Sequence, residues 1–185
     1  DAQESRGLGD VYKRQHLRRA DSPAAHLAVV EGADAILVSD LLPDPPATLQ
    51  QLIEGGEQML SALRAAVESG TATRHPLEGW SFASAVIAPP AVLAVGLNYA
   101  AHSSELGLKT DAAPTVFTLW PNSLTGHQQT TSWPRALSEA VDYEAELGVL
   151  IGTPAKDVAE ADALSYVWGY TVVNDITARN VQFSD

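Results

Sequence analysis

Apolar and polar positions recur with two different periods along the chain, and each period predicts a different element. The runs "HLAVVEG" and "AILVSDLL" are short and strand-like, and residues 32–34 between them predict a β-hairpin. After residue 48 the apolar residues recur at helical spacing, and we expect Gly55 and Gly56 to divide this helix and Ser69-Gly70 to end it. The helical stripe consists of Leu49, Leu52, Ile53, Leu60, Leu63 and Val67.

The pattern beyond Trp80 is mainly that of strands. It contains the strand-like runs "SAVIA", "AVLAVG", "TVFTLW", "EAELGVLIG" and "VWGYTVVND", and a helix-like piece, "ALSYV", after the acidic linker "KDVAEAD". Residues 1–15, "DAQESRGLGDVYKRQ", have no such period and resemble translated sequencing-adapter sequence. We therefore expect a non-native tail over residues 1–15, a small α/β module over 16–85 and a strand-rich domain over 86–185.

Charge and composition narrow the classes of function. The 185 residues include 23 acidic residues against 11 Lys and Arg, which gives a formal net charge of −12. This balance argues against nucleic acids and anionic membranes as partners, because both bind proteins mainly through Lys and Arg. The chain has no cysteine, so thiolate nucleophiles and cysteine-based metal sites are excluded. We expect a soluble, cytoplasmic protein without a membrane span.

The segment "VDYEAELGVLIG" places two carboxylates in an apolar strand. In a strand, residues two apart point to the same face, about 6.6 Å apart, so Glu144 and Glu146 project together and Asp142 can join them. Two such carboxylates are costly to bury unless a cation lies between them, and Mg²⁺ prefers oxygen ligands. The pattern alone favours two solvated acids on a wet face, because E-x-E is common, but the apolar continuation counts against that interpretation.

Two further clusters could take part in chemistry. Asp175 ends the apolar run "GYTVVND", where it is either a third metal ligand or an N-cap of the next helix. His102 and Glu105 are three residues apart and would share a helix face, either as a general base with its carboxylate partner or as an exposed pair. The other histidines carry less weight. We expect His16, His26 and His75 at the surface and His127 in a loop.

Four motifs occur together and in order from about residue 91 to the end: "VGLNYAAHSSELG", "PTVFTLWPNSLTG", "VDYEAELGVLIG" and "GYTVVNDITARNVQ". In them the chain resembles the fumarylacetoacetate hydrolase family. The resemblance implies an α+β, mainly β fold with a mixed β-roll catalytic core, preceded by the small α/β module. It also implies a homodimer when the protein is full length, and 2-oxo acids as substrates.

The same resemblance implies roles for individual residues. Glu144, Glu146 and Asp175 would bind Mg²⁺ or Mn²⁺, and His102 and Glu105 would lie on a lid and activate a water molecule. The substrate-binding residues implied in this way are Asn98, Tyr99, Asn122, Ser123, Arg179 and Gln182. The activity implied is metal-dependent hydrolysis of a C–C bond in acylpyruvates or fumarylacetoacetate-like acids, in aromatic or oxo-acid catabolism. Decarboxylation or isomerisation by the same family is the alternative.

The sequence departs from the family pattern at three positions. Leu119 replaces a lysine that would stabilise negative charge on the substrate, which leaves a non-catalytic metal- or ligand-binding protein as a further alternative. Asn122 replaces a small hydroxyl residue, and Asn180 replaces an aspartate. Because family members continue with another strand-rich half domain, we also expect a C-terminally incomplete fragment that can be inactive on its own.

Overall fold

The computed structural model describes residues 13–96, 98, 99, 114–182 and 184. The N-terminal part is a five-stranded antiparallel sheet in the order β4-β3-β2-β1-β5. Its strands are β1 (Lys13–Arg19), β2 (Ala25–Glu31), β3 (Asp34–Leu37), β4 (His75–Pro76) and β5 (Trp80–Phe82). The predicted hairpin is confirmed, since β2 pairs with β3 from Ala28 opposite Leu37 to Glu31 opposite Asp34.

Two helices cover this sheet, α1 (Leu49–Glu54) and α2 (Gly56–Glu68). They divide where the two glycines predict a break, and Gly56 adopts a φ of +62°, a left-handed conformation that glycine adopts without strain. Thr48 caps α1, because its side chain accepts a hydrogen bond from the Gln51 N–H and the Gln51 side chain binds back. The apolar stripe of both helices packs on the hairpin in one buried cluster: Leu27, Val29, Ile36, Val38, Leu49, Leu52, Leu63 and Val67.

The predicted boundary between a tail and the first domain falls inside β1. Lys13, Arg14 and Gln15 lie opposite Val30, Val29 and Ala28 of β2, so these three residues belong to the sheet. Residues 1–12 lie outside the described residues, so the non-native tail over residues 1–15 stays a prediction. Residues 13–15 join the sheet because an extended segment beside a hairpin gains ladder hydrogen bonds whatever its side-chain periodicity.

Two local expectations in this module are wrong for a shared reason. His16, which the sequence predicts at the surface, is fully buried. The run "SAVIA" at residues 84–88, which the sequence predicts to be a strand, forms bends. His16 Nδ1 donates to the carbonyl oxygens of Ser84 and Ala85 at 3.2 and 3.0 Å, so these acceptors bind a side chain instead of a neighbouring strand.

The remainder of the described chain consists of paired strands with short helical turns. Three antiparallel pairs form: β6 (Val92–Gly96) with β7 (Thr115–Leu119), β9 (Ala145–Ile151) with β10 (Val167–Asn174), and β8 (Val141–Asp142) with β11 (Thr177–Ala178). A short helix, α3 (Arg179–Gln182), follows β11. The helix-like run "ALSYV" belongs to a 3₁₀ helix, Glu160–Tyr166, which buries no residue and so lacks the packed face that stabilises an α-helix.

The second part packs directly on the N-terminal core. Val86, Leu150 and Trp168 contact the buried cluster under α1 and α2. Gly126 lies so close to β5 that a Cβ atom there would come within 1.9 Å of the Phe82 carbonyl oxygen, which only glycine allows. His127, in the turn that follows, packs edge-on against the Phe82 ring at 5.6 Å. Within the part of the chain that the structure describes, no helix combines the length and the apolarity needed to cross a membrane.

Candidate active site

The strand pairs β9–β10 and β8–β11 hold the predicted metal ligands in one continuous register. Ala145 pairs with Asn174, and Asp142 pairs with Thr177, so the ladder keeps its register on both sides of a short break. Across this break the Asp175 N–H donates to the Glu144 carbonyl oxygen at 2.9 Å, and the Glu144 N–H donates to Asn174 Oδ1 at 3.1 Å. Glu144 therefore lies directly opposite Asp175.

This register places three predicted ligands on one face of the sheet, which we call the carboxylate face (Glu144, Glu146 and Asp175). Residues directly opposite have Cβ atoms about 4.5–5.5 Å apart, and diagonal neighbours lie about 7–8 Å apart. Glu146, which pairs with Val173, is the diagonal neighbour of Asp175. All three residues are half-buried.

The charges on this face influence one another. Burial raises the pKa of the Asp175 carboxyl above its ordinary value, and the nearby Glu144 carboxylate raises it further, while the positive charge of Arg179 lowers it. Two like charges directly opposite each other destabilise a strand pair. The local arrangement is thus unfavourable unless positive charge is supplied close to Glu144 and Asp175.

Arg179, at the start of α3, supplies such a charge. Its Nη2 lies 2.5 Å from Glu144 Oε1 and 3.0 Å from Asp142 Oδ2, and its Nε donates to Asp142 Oδ2 at 3.2 Å. Burial lowers the pKa of Arg179, but the hydrogen bonds and charges of Asp142 and Glu144 outweigh it and raise the pKa above its ordinary value. The arginine expected to bind substrate is therefore engaged by two carboxylates.

The donor chemistry of the carboxylate face fits a hard divalent cation, because it consists of carboxylate oxygens from adjacent strands that repel each other. The side chains are not gathered into one metal site, however. Among the described residues no group of three or more His, Asp or Glu side chains is arranged to hold a metal ion. The backbone brings the predicted ligands to one face, and Glu144 directs a carboxylate oxygen to Arg179.

The predicted catalytic pair, His102 and Glu105, lies outside the described residues. The segment that leads to it is tied to the metal-ligand strand. The Leu147 N–H, on the edge of β9 that does not face β10, donates to the Tyr99 hydroxyl oxygen at 3.0 Å. Tyr99 and Asn98 are both exposed. Tyr99 thereby connects the "GLNY" segment to the residue next to Glu146.

The other predicted substrate-binding residues are exposed, Asn122 and Ser123 in a turn and Gln182 in α3. Asn122 and Ser123 form part of a 3₁₀ turn after β7, and the Ser123 hydroxyl donates to the Trp120 carbonyl oxygen at 2.7 Å. Gln182 is exposed and accepts a hydrogen bond from Arg179 Nη1 at 3.0 Å. Arg179 contacts Glu144 of the carboxylate face, and Gln182 contacts Arg179. Among the described residues, Asn122 and Ser123 make no side-chain hydrogen bond to this face.

Sequence reasoning missed one buried polar contact beside this site. Ser138 is buried, and its hydroxyl binds Asn180 Oδ1 and accepts the Ala140 N–H at 3.0 Å. Asn180 Nδ2 in turn donates to the Leu137 carbonyl oxygen at 3.3 Å. The sequence signal for this network is Asn180, which replaces an aspartate of the family pattern. Nothing in the sequence distinguishes Ser138 from the other serines of the chain. The network fixes the loop beside Arg179.

Comparison with known proteins identifies the family of this chain. Residues 91–185, about half of the chain, match the model for the C-terminal part of fumarylacetoacetate hydrolase. The chain belongs to the fumarylacetoacetate hydrolase family. Its predicted fold, α+β and mainly β with the core of this family, is confirmed by the solved structures of family members that it resembles.

Three of these similar proteins differ in activity. A homoprotocatechuate catabolism bifunctional isomerase/decarboxylase of Escherichia coli is 52% identical over 89 residues, which are 48% of this chain and 21% of that protein. A fumarylacetoacetate hydrolase from Exiguobacterium antarcticum superposes with a TM-score of 0.72 at 26% identity over 93% of this chain and 59% of that chain. A maleylpyruvate hydrolase from Sphingobium sp. SYK-6, solved with manganese(II) and pyruvate, superposes with a TM-score of 0.70 at 27% identity over 89% of this chain and 59% of that chain. This chain thus spans between a fifth and three fifths of the length of these proteins, which include hydrolases and an isomerase/decarboxylase.

Proposed function

We propose that this chain is the metal-binding part of a divalent-metal-dependent hydrolase that cleaves a C–C bond in acylpyruvate-type 2-oxo acids. The observation that carries the proposal is the continuous register that places Glu144 opposite Asp175 and Glu146 on the same face. Its cation would be Mg²⁺ or Mn²⁺, and the manganese in the similar maleylpyruvate hydrolase supports a divalent ion in this family. Bound there, the ion would polarise the oxo and carboxylate oxygens of the substrate.

Individual residues of the chain would bind the ion and activate the attacking water. Glu144, Glu146 and Asp175 would hold the ion, and His102 with Glu105 would remove a proton from water as it attacks the distal carbonyl carbon. The C–C bond between that carbon and the pyruvate methylene group then breaks, and its electron pair forms the enolate of pyruvate. Protonation of this enolate gives pyruvate, and the attacked carbon leaves as a carboxylic acid. Water is the only other reactant.

The similarity of this chain to a protein of Escherichia coli favours a second activity. At 52% identity over 89 residues, the matched region resembles an isomerase/decarboxylase of homoprotocatechuate catabolism. Both reactions pass through an enolate, so the same carboxylate face would serve either. Leu119, in place of a lysine, favours a third outcome, in which the chain binds the metal and an oxo acid without turnover.

The test measures metal binding first and products second, on the full 185-residue chain. Wild type should bind Mn²⁺, and Glu144→Gln and Asp175→Asn should each weaken binding by at least about tenfold, since each removes a charged ligand. Glu68→Gln, an exposed carboxylate of α2, is the matched control and should leave binding unchanged. Mn²⁺ affinity that is the same in all four proteins would contradict the metal assignment.

Product analysis with an acylpyruvate and Mn²⁺ separates the three activities. Hydrolysis yields pyruvate and a second carboxylic acid, decarboxylation releases CO₂, and isomerisation changes only the ultraviolet spectrum of the substrate. Binding of the oxo acid without any product supports the non-catalytic alternative. Turnover that is unaffected by both Glu144→Gln and Asp175→Asn contradicts the proposed role of the carboxylate face.

A further inference from the structure

Arg179 contacts the same carboxylate that the proposed function assigns to a metal ion. Its Nη2 lies 2.5 Å from Glu144 Oε1, and the guanidinium is shared with Asp142 through contacts of 3.0 and 3.2 Å. The side chains of Arg179 and Glu144 are half-buried, at 22% and 23% exposed. An ion pair held at this distance and partly shielded from water is stronger than an exposed surface pair.

The backbone and the neighbouring side chains fix the guanidinium in this position. The Arg179 N–H donates to the Ala140 carbonyl oxygen at 2.8 Å, directly after the β8–β11 pairing. Arg179 Nη1 donates to Gln182 Oε1 at 3.0 Å, so all three nitrogens of the guanidinium are engaged. The Ser138–Asn180 hydrogen bond holds the loop that carries Ala140. Arg179 is therefore built into the site rather than free to turn towards a substrate.

Asp175 lies directly opposite Glu144, the carboxylate that Arg179 contacts, so a cation shared by these two ligands would lie close to the guanidinium. A divalent cation on the carboxylate face would meet this guanidinium within a few ångströms. It would have to share Glu144 with Arg179 and would be repelled by it. If Arg179 were absent, the carboxylates of Glu144, Glu146 and Asp175 would act on the cation without this competing positive charge.

We propose that Arg179 sets how tightly the carboxylate face binds a divalent cation, because its guanidinium and the cation compete for Glu144. This inference rests on the proposed function. Arg179 also orients Glu144, and the two effects oppose each other. Repulsion between a single and a double charge a few ångströms apart exceeds the gain from restraining one glutamate side chain, so competition determines the sign. Arg179 therefore acts on the metal ion through Glu144, and its net effect is weaker metal binding.

The experiment measures the Mn²⁺ affinity of the full chain from the electron paramagnetic resonance signal of free Mn²⁺. Arg179→Gln should bind Mn²⁺ at least about tenfold more tightly than wild type, since the competing charge is gone. Arg179→Lys keeps the charge and should stay close to wild type. Arg18→Gln makes the same change of net charge at an exposed position of β1 and should leave the affinity unchanged.

Each outcome decides the inference. Unchanged or weaker Mn²⁺ binding by Arg179→Gln overturns it, and so does an equal gain in Arg18→Gln, which would indicate an effect of net charge alone. If circular dichroism shows that Arg179→Gln does not fold, Arg179→Met replaces it, because it removes the same charge with an unbranched side chain. Tighter binding by Arg179→Met supports the inference, and unchanged or weaker binding overturns it.

The same titrations separate this inference from the proposed function. A wild-type chain that binds no Mn²⁺, or that binds it equally well after Glu144→Gln, overturns both. Binding that is lost in Glu144→Gln but is the same in wild type and Arg179→Gln overturns only the role of Arg179.

Discussion

His16 joins three segments that are far apart in the sequence. Its Nδ1 donates to the carbonyl oxygens of Ser84 and Ala85, and its Nε2 accepts the Leu49 N–H at the start of α1 at 3.2 Å. Because carbonyl oxygens only accept and an N–H only donates, the ring must be neutral with its proton on Nδ1. Burial lowers the pKa of His16, although the two carbonyl hydrogen bonds raise it in part. The residue thus connects the first sheet, α1 and the entry to the second part.

The first prediction concerns His16 and pH. The pKa of His16 in the folded chain lies below the value of about 6.5 expected when unfolded, so below that pH the unfolded chain binds more protons. Wild type should therefore lose stability as the pH falls from about 6.5 towards the folded pKa, and keep it above. His16→Leu should be less stable by about 1–3 kcal/mol near pH 7.5, because buried backbone groups lose a partner.

Urea unfolding at about pH 7.5 and about pH 5.5 checks this prediction. The free energy of unfolding of wild type should fall more between the two values than that of His16→Leu, since the variant lacks the titrating ring. The exposed and half-buried histidines are common to both proteins and cancel in the comparison. An identical pH dependence in the two proteins contradicts the role given to His16.

At the scale of one element, one face of strand β9 both packs on the core and carries predicted metal ligands. Successive side chains alternate, so Leu150 lies on the same face as Glu146. Leu150 packs against the core beneath α1 and α2, while the other end of the face carries the predicted metal ligands. The packing of Leu150 thereby anchors the strand that positions Glu144 and Glu146. This explains why Leu150, on the same face as the two carboxylates, is apolar.

The second prediction tests this anchoring. Leu150→Ala should lower the free energy of unfolding by about 1–2 kcal/mol, less than at a fully buried leucine because Leu150 is half-buried. Leu147→Ala, on the opposite face of the same strand, is the matched control. Leu147 is 62% exposed, so its loss should change the stability by less than about 0.5 kcal/mol. Equal effects of the two substitutions in urea unfolding would show that Leu150 does not anchor the strand.

At the scale of the whole molecule, the second part exposes a broad apolar surface. The outer face of β9 and β10 consists of Leu147, Val149, Ile151, Tyr170 and Val172, which are 47–84% exposed. Contiguous exposed apolar surface of this kind marks an interface or a site of association. The homodimer that the family resemblance implies stays a prediction, and this outer face is where we propose that self-association occurs.

The third prediction follows from that surface. Val172 is 84% exposed and lies opposite Leu147 at the centre of the outer face. Val172→Lys places a charge there and should reduce concentration-dependent association, measured by sedimentation velocity. Glu68→Lys introduces a lysine on α2, away from this face, and should leave association unchanged. Association that is equal in wild type and both variants would rule out the outer face as the contact.

Much of the local structure follows from the sequence alone. The period of the apolar residues determines the hairpin β2–β3, the helical stripe and its break at Gly55 and Gly56, because these depend on neighbours a few residues apart. The alternation of side chains along a strand likewise places Glu144 and Glu146 on one face. The ordered motifs identify the family. The roles of His102 and Glu105 stay predictions, since both lie outside the described residues.

Only the tertiary structure decides which distant segments meet. The burial of His16 depends on backbone groups 33 and 68 residues away, and the irregular course of residues 84–88 depends on His16. The pairing of Glu144 with Asp175, and the contact of Glu144 with Arg179, likewise depend on the register between two strands. Local periodicity sets the face on which a side chain lies, but register and packing set its partner, because hydrogen bonds and ion pairs act over a few ångströms in space whatever the separation along the chain.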